Sequence, residues 1–330
     1  MSDFKLTTPV AFIIFNRPDT TARVFAEIAK AKPPKLLVVA DGARTNKIGE
    51  AEKVAATRAI IQRVDWDCEV LTNFSEVNLG CKVRVSSGID WVFEQVEEAI
   101  ILEDDCLPDP TFFRFCQEML ERYRHDERIG MISGDNFQFG QTRGDASYYF
   151  SKYMHIWGWA SWRRAWKSYD VDIKKLPEMI DGKLLQLKFP NQSERNYWRR
   201  IFHITYEGKI DTWDYQWFFS LLAENQLCVL PNINLISNIG FGADATHTQS
   251  ASKYSVLKVF PLEFPITHPE LITPNFIADE YTAEGMNFNI SVARNLMSLV
   301  INQLNPNLVM QLKKYQSAMY FFLKSFRNER

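Results

Sequence analysis

Residues 99–105 read Ala-Ile-Ile-Leu-Glu-Asp-Asp, a short apolar strand that ends in three consecutive acids. A run this apolar is read as a strand buried on both faces. Its carboxyl end is where open α/β sheets bind ligands. Glu103, Asp104 and Asp105 repel one another, so their crowding calls for a neutralising cation. Hard carboxylate oxygens suit Mg²⁺ or Mn²⁺. A solvated acidic turn is the plainer account, but it does not explain the buried strand before it. Asp109 and Pro110 follow as helix N-cap and first helical residue.

The first 135 residues repeat this alternation. Apolar runs at Val10–Phe15, Lys35–Ala40, Cys68–Thr72, Ala99–Leu102 and Ile129–Ser133 read as strands. Helical spacing falls at Thr20–Lys30, Glu50–Val64, Asn78 to about Gln95, and Thr111–Arg124. Continuous apolar strands separated by helices predict a buried, mostly parallel sheet. Polar residues collect at three strand ends, Asn16-Arg17, Asp41-Gly42 and Glu103-Asp104-Asp105. That convergence points to a nucleotide site. No Gly-x-Gly-x-x-Gly follows the first strand and no Gly-Lys-Ser/Thr loop is present, which argues against a dehydrogenase and a P-loop NTPase.

Composition narrows the classes further. The 330 residues are 46% hydrophobic and 24% charged, ordinary for a folded chain. A formal net charge of −2 gives no basic field to attract nucleic acid. No apolar signal core opens the chain, and no apolar run reaches membrane-spanning length. Five cysteines without Cys-x-x-Cys spacing suggest reduced thiols and a cytoplasmic protein rather than a zinc site.

Beyond residue 135 the chain becomes aromatic. Trp159, Trp162 and Trp166 have helical spacing and read as core, while Trp157-Gly158-Trp159 reads as a loop whose indoles could lie on a sugar face. Residues 170–210 are expected to be helical. Asp211 and Asp214 open an apolar helix to about Asn225, where either could merely cap it. A strand at Cys228–Pro231 precedes Phe241-Gly242 and His247, and two helices are expected over 287–328. The second carries an apolar stripe with basic neighbours. It is read as packing on the domain or a partner, with peripheral membrane contact as the alternative.

On these residues the chain resembles the GT-A-type glycosyltransferases, the nucleotide-diphospho-sugar transferase fold. It is most similar to the bacterial HlpA-like glycosyltransferases and to the eukaryotic N-acetylglucosaminyltransferases that begin complex N-glycan branching. The match rests on Leu-Glu-Asp-Asp followed by Pro-Asp-Pro-Thr-Phe-Phe-Arg-Phe, with Asn16-Arg17, Asp41-Gly42, Trp157-Gly158-Trp159, Trp213-Asp214 and Phe241-Gly242 before His247. The resemblance implies a Rossmann-like, mixed but mostly parallel sheet flanked by helices, with a helical C-terminal extension. It implies a catalytic domain over 1–250, nucleotide half 1–135 and acceptor half 136–250, and an unmatched extension over 251–330.

It also implies roles. Asp105 would hold Mn²⁺ or Mg²⁺, and His247 would add to the metal or diphosphate. Asp104 would bind the ribose, Glu103 the donor sugar, and Asp41 the base, implying a UDP-sugar. Asn16 and Arg17 would lie near the nucleotide, Lys82 and Arg84 within reach of the diphosphate, Trp159 against a sugar, and Asp214 would be the catalytic base. The expected partners are a sugar nucleotide and a saccharide or glycolipid acceptor. A sugar nucleotidyltransferase shares the sheet but would want a Gly-rich, Arg-containing loop after the first strand, which Asn16-Arg17-Pro18 is not. A binding protein that kept the fold without turnover is the rival of another class.

Overall fold

A computed structural model describes residues 4–240 and 257–286. In chain order the elements are β1 (Val10–Ile14), α1 (Pro18–Ala31), β2 (Lys35–Ala40), α2 (Glu50–Ala59), β3 (Glu69–Phe74), α3 (Gly80–Gln95), β4 (Glu98–Glu103) and β5 (Cys106–Pro108). Then come α4 (Thr111–Tyr123), β6 (Ile129–Ser133), β7 (Tyr148–Ser151), β8 (Trp159–Trp162), α5 (Arg163–Trp166), α6 (Leu176–Asp181), α7 (Leu184–Lys188) and α8 (Gln192–Tyr206). The last described elements are α9 (Asp214–Ala223), β9 (Leu227–Pro231), β10 (Ile236–Asn238) and α10 (Phe276–Gly285).

Eight strands form one sheet in the order β3-β2-β1-β4-β8-β6-β9-β7. β1 to β4 are parallel neighbours. β8 runs against both β4 and β6, β9 follows β6, and β7 runs against β9. The sheet is therefore mixed but mostly parallel, as expected. All five residues of β1 and β6, and five of the six in β2, are buried, so both faces of the sheet are covered. The carboxyl ends of β1, β2, β4 and β6 share one edge, and this edge carries the site.

The local signals explain the first half. Pro18 supplies the preset φ of a first helical turn, and Val24, Phe25 and Ile28 form the buried stripe of α1. Asp109 Oδ1 accepts the Thr111 N–H at 2.9 Å, but α4 starts one residue later than expected, at Thr111, with Pro110 and not Asp109 at the N-cap position. Gly88 of α3 lies so close to β2 that a β-carbon there would meet Val39 Cγ1 at 2.4 Å.

The second half departs from expectation at Trp159. Residues 159–162 form β8, between β4 and β6, and only α5 onward is helical. Four buried residues are too few for periodicity to separate strand from helix, and two flanking strands decide the outcome. Trp159, Trp166, Trp213 and Trp217 make one aromatic core, with Trp159 stacked on Trp213 at 5.7 Å and 21°. A second core lies among α6 to α9, around Trp198, Phe202 and Phe218. The five cysteines are free thiols. The two helices expected over 287–328 lie outside the described residues. Among the described residues no helix is long and apolar enough to cross a membrane.

α10 is fixed to the sheet by a buried acid. Asp279 accepts from the Ser151 hydroxyl and from the Lys152 N–H. Burial, opposed by these contacts and by the Lys152 charge, pushes its carboxyl up to about 6. The folded chain then holds a proton between about pH 4 and 6 that the unfolded chain has released, so stability falls as pH rises through that window. Asp279→Asn is expected to remove that part of the slope in urea unfolding curves measured across it, on the order of 1.4 kcal/mol per pH unit at most.

Candidate active site

The acidic end of β4 meets the start of α1. Arg17 Nη1 lies 2.7 Å from Asp105 Oδ2 and 3.6 Å from Asp104 Oδ1. Burial alone would lower the Arg17 pKa, but Asp104 and Asp105 outweigh it and hold the guanidinium more firmly protonated than usual. Asp104 is buried, and its Oδ2 accepts the Phe15 N–H at 3.1 Å. Burial and the neighbouring acids hold Glu103 and Asp104 well above the usual carboxylate range, with Arg17 opposing. Asp214 is among the charges that raise Glu103, so it lies within electrostatic reach of the cluster.

Backbone packing closes over Asp105. β10 pairs with β5 immediately after the acids, and the Ile239 N–H bonds the Asp105 carbonyl at 2.8 Å. Gly240 then passes against the carboxylate, where a β-carbon would meet Asp105 Oδ2 at 2.0 Å. Only a glycine fits there. Phe241-Gly242 and His247 lie outside the described residues, so the expected late ligand is not part of the described site.

Asp214 is placed by the aromatic core. It is the first residue of α9, half-buried, with Thr212 Oγ1 donating to its Oδ1. The preceding Trp213 stacks on Trp159, whose strand partner is Ile101, two residues before Glu103. Trp159 therefore holds the Asp214 loop over β4.

Four expected site residues have other work. Trp159 is fully buried and cannot lie against a sugar. Asp41 is buried, and both oxygens are occupied: Oδ1 accepts from the Gly42 and Leu79 N–H groups, both at 2.9 Å, and Oδ2 from Asn78 Nδ2 at 2.9 Å and the Gly80 N–H at 3.1 Å. A carboxylate so engaged secures the loop before α3 rather than reading a base. Arg84 is buried beneath that loop, donating to the Ala40 carbonyl at 3.2 Å and to Asn73, and does not face a diphosphate. The Asn16 amide donates at 2.9 Å to Glu50, which also binds Arg44, so it orders the loop after β2.

Lys82 keeps its expected place in the first turn of α3. Its ammonium is 4.0 Å from Asp172, and its N–H is capped by Asp211 Oδ1 at 2.9 Å. The neighbouring Cys81 thiol is pushed up to about 12 by burial and then by Glu103, Asp211, Asp214 and Asp41, which sets this turn among the acids. Arg17, Asp104 and Asp105 meet at this edge beside Glu103, and the start of α3 with Lys82 is joined through Asp211 to the loop that carries Asp214. Among the described residues no three His, Cys, Asp or Glu side chains are arranged to enclose a metal. Mg²⁺-type sites commonly use one or two carboxylates and complete the shell with substrate phosphates, so Asp105 suits such a role.

No protein-family profile matches the chain, and no curated protein matches it. Solved structures give distant likenesses. A cytidylyltransferase from Leptospira borgpetersenii serovar Hardjo-bovis aligns at TM-score 0.32 and 12% identity, over 52% of this chain and 67% of that one. A UDP-glucose pyrophosphorylase complexed with UDP-glucose aligns at 0.35 and 8%, over 71% and 93%. The 4-diphosphocytidyl-2C-methyl-D-erythritol synthase from Anaerococcus prevotii aligns at 0.31 and 9%, over 53% and 84%. Likenesses this distant decide no function, which rests instead on the site.

Sequence reasoning missed Asp211 as the cap of α3, Gly240 against Asp105, and Trp213 as the anchor of Asp214. Only the Trp213-Asp214 pair left a signal, since an aromatic beside an acid at a helix start is visible in the chain. The Asp41 assignment makes a prediction. Asp41→Ala should cost roughly 1–3 kcal/mol in denaturant unfolding, because buried N–H groups lose their acceptor. Amide exchange should quicken at residues 78–80, and Asp41→Asn should recover part of the loss. Any preference among nucleotide bases should be unchanged.

Proposed function

We propose that the chain is a metal-dependent inverting glycosyltransferase that moves a sugar from a nucleoside diphosphate to an acceptor hydroxyl. The observation that carries this reading is the meeting of two groups at one sheet edge. Arg17 and the β4 acids meet there, and Asp214, carried by the loop that the Trp159–Trp213 stack anchors, lies within electrostatic reach of Glu103. Cations beside carboxylates suit a diphosphate and its counter-ion. A separate carboxylate facing them suits a base.

Asp105 would hold the divalent ion, which when bound supplies Lewis-acid stabilisation of the leaving phosphate. Arg17 and Lys82 add fixed positive charge on the same side. Asp214 takes the proton of the attacking hydroxyl, which is a poor nucleophile near neutral pH. A single base opposite the diphosphate gives one displacement with inversion at the anomeric carbon. Glu103, under the charge of both Arg17 and Asp214, is assigned to the donor sugar. Asp104, turned onto the Phe15 N–H and Arg17, is assigned to the ribose edge and to orienting Arg17. His247 is proposed on the metal or diphosphate. With Asp41 engaged elsewhere, uridine has no reading residue in the described site, so the donor is proposed only as a nucleoside-diphosphate sugar. The acceptor is proposed as a saccharide or glycolipid.

The test is a panel of uridine, guanosine and thymidine diphospho-sugars with Mn²⁺ or chelator, followed by binding and nucleotide release. Metal-dependent release of nucleoside diphosphate is the expected result. Pyrophosphate from a nucleoside triphosphate and a sugar 1-phosphate would assign a nucleotidyltransferase instead, and binding without turnover a sugar-nucleotide-binding protein. Asp105→Asn should abolish metal-dependent donor binding and keep the fold. Asp214→Asn should keep donor binding and Tm while transfer falls by about 10²–10⁴-fold. Near-normal transfer by a folded Asp214→Asn protein would remove Asp214 as base.

A further inference from the structure

Arg17 and Asp105 are assigned separate duties, yet they are bonded to each other. Arg17 Nη1 lies 2.7 Å from Asp105 Oδ2, the distance of a charge-assisted hydrogen bond, and 3.6 Å from Asp104 Oδ1. Among the described residues no other lysine or arginine pairs with Glu103, Asp104 or Asp105. The pair is largely shielded from water, with the Arg17 side chain 20% and the Asp105 side chain 18% exposed. An ion pair so placed is screened much less than one on the surface.

The surroundings fix both backbones and leave the freedom to one side chain. Gly240 closes on the carboxylate, where a β-carbon would meet Oδ2 at 2.0 Å, and the Ile239 N–H holds the Asp105 carbonyl at 2.8 Å. The Cys106 thiol meets the other oxygen, Oδ1, at 3.5 Å. Asp105 therefore has little room to turn. The Arg17 carbonyl takes the Thr21 N–H at 3.0 Å and the Thr21 hydroxyl at 2.7 Å, and Pro18 sets the first turn of α1. The Arg17 side chain lies beyond these anchors, so its guanidinium can swing without moving α1. Of the two partners, Arg17 is the one able to leave.

We propose that the Arg17–Asp105 pair is an autoinhibitory latch: the guanidinium holds the carboxylate oxygen that a divalent ion needs, and a diphosphate opens the site by drawing Arg17 onto its own oxygens. The inference concerns regulation of the site assigned above and rests on the glycosyltransferase reading. Two cations on one carboxylate oxygen repel each other. A divalent ion arriving alone must displace Arg17 and strand it without its acidic partner. A diphosphate removes that cost, because its oxygens are an anion that the guanidinium fork fits. Metal and nucleotide then each raise the affinity of the other by the same factor. Direct bonding of phosphate to the ion would also make them cooperate. The latch differs in requiring that loss of the Arg17 charge strengthen metal binding with no nucleotide present.

The test is Mn²⁺ binding by the full chain without nucleotide, read by titration calorimetry and by the electron paramagnetic resonance signal of the free ion. Arg17→Gln should bind Mn²⁺ about tenfold or more tightly than wild type, a change close to 1.4 kcal/mol. Adding Asp105→Asn to that variant should remove the binding. UDP and GDP should raise the Mn²⁺ affinity of wild type, and raise that of Arg17→Gln by a smaller factor, because the latch is already open. Arg17→Gln also leaves the acids uncompensated, so its Tm in chelator should fall, and Mn²⁺ should raise it more than it raises that of wild type. If the variant does not fold in chelator, rescue of its folding by Mn²⁺ supports the latch and failure of rescue overturns it. Equal or weaker Mn²⁺ binding by a folded Arg17→Gln protein overturns the latch, and so does tighter binding that survives Asp105→Asn. Tighter Mn²⁺ binding by Arg17→Gln, in a protein that takes up no nucleotide, would sink the glycosyltransferase reading and keep Arg17 as guard of a cation site. Sugar transfer by wild type, with Mn²⁺ affinity unchanged by Arg17→Gln, would do the reverse.

Discussion

Everything at the site depends on how one guanidinium is delivered to three acids. Two unit charges about 4 Å apart interact by roughly 4 kcal/mol at a surface-like dielectric, so adjacent carboxylates at a buried strand end are strongly unfavourable alone. Arg17 reaches two of them. Its backbone is held at the mouth of α1, because Pro18 fixes the first helical turn and the Thr21 N–H and hydroxyl both bond the Arg17 carbonyl. A local helix signal thus fixes where a charge sits. The same pairing sets a competition: a divalent cation on Asp105 must share or replace the contact with Arg17. Arg17 would then be freed toward the phosphates that arrive with the cation.

The remaining geometry is set by close approaches of backbone. Gly240 against Asp105 leaves no room for a side chain, so β10 and the acidic turn hold one relative position. Gly42 does the same at the end of β2, where a β-carbon would fall 2.5 Å from the Val77 carbonyl carbon. That contact, with Asp41 and Arg84 beneath it, fixes the loop that leads into α3. Residues that resemble ligand contacts in sequence are here the supports of the loops that carry the contacts.

This explains what the chain disclosed in advance. The strands, the helices of the first half and the acidic end of β4 were legible because each is a local pattern of period, cap or charge. The surroundings of Asp41, Arg84 and Trp159 were not legible because they are set by chain far away. Asn78 lies thirty-seven positions beyond Asp41, and Trp159 meets Trp213 only after four intervening helices. A buried carboxylate with filled lone pairs and an exposed one waiting for a ligand have the same sequence signature.

The two acids at the start of α9 show how three residues can separate different duties. Either could cap a helix. Asp211 is exposed and caps a helix that is not its own, accepting the Lys82 N–H at the start of α3 and thereby joining the loop to the first half of the chain. Asp214 sits one residue beyond a buried tryptophan, and its charge acts on Glu103. The caps and the stacking therefore divide the labour: Asp211 locks the loop onto α3, Trp213 locks it onto β8, and these two anchors set the backbone that carries Asp214 into α9.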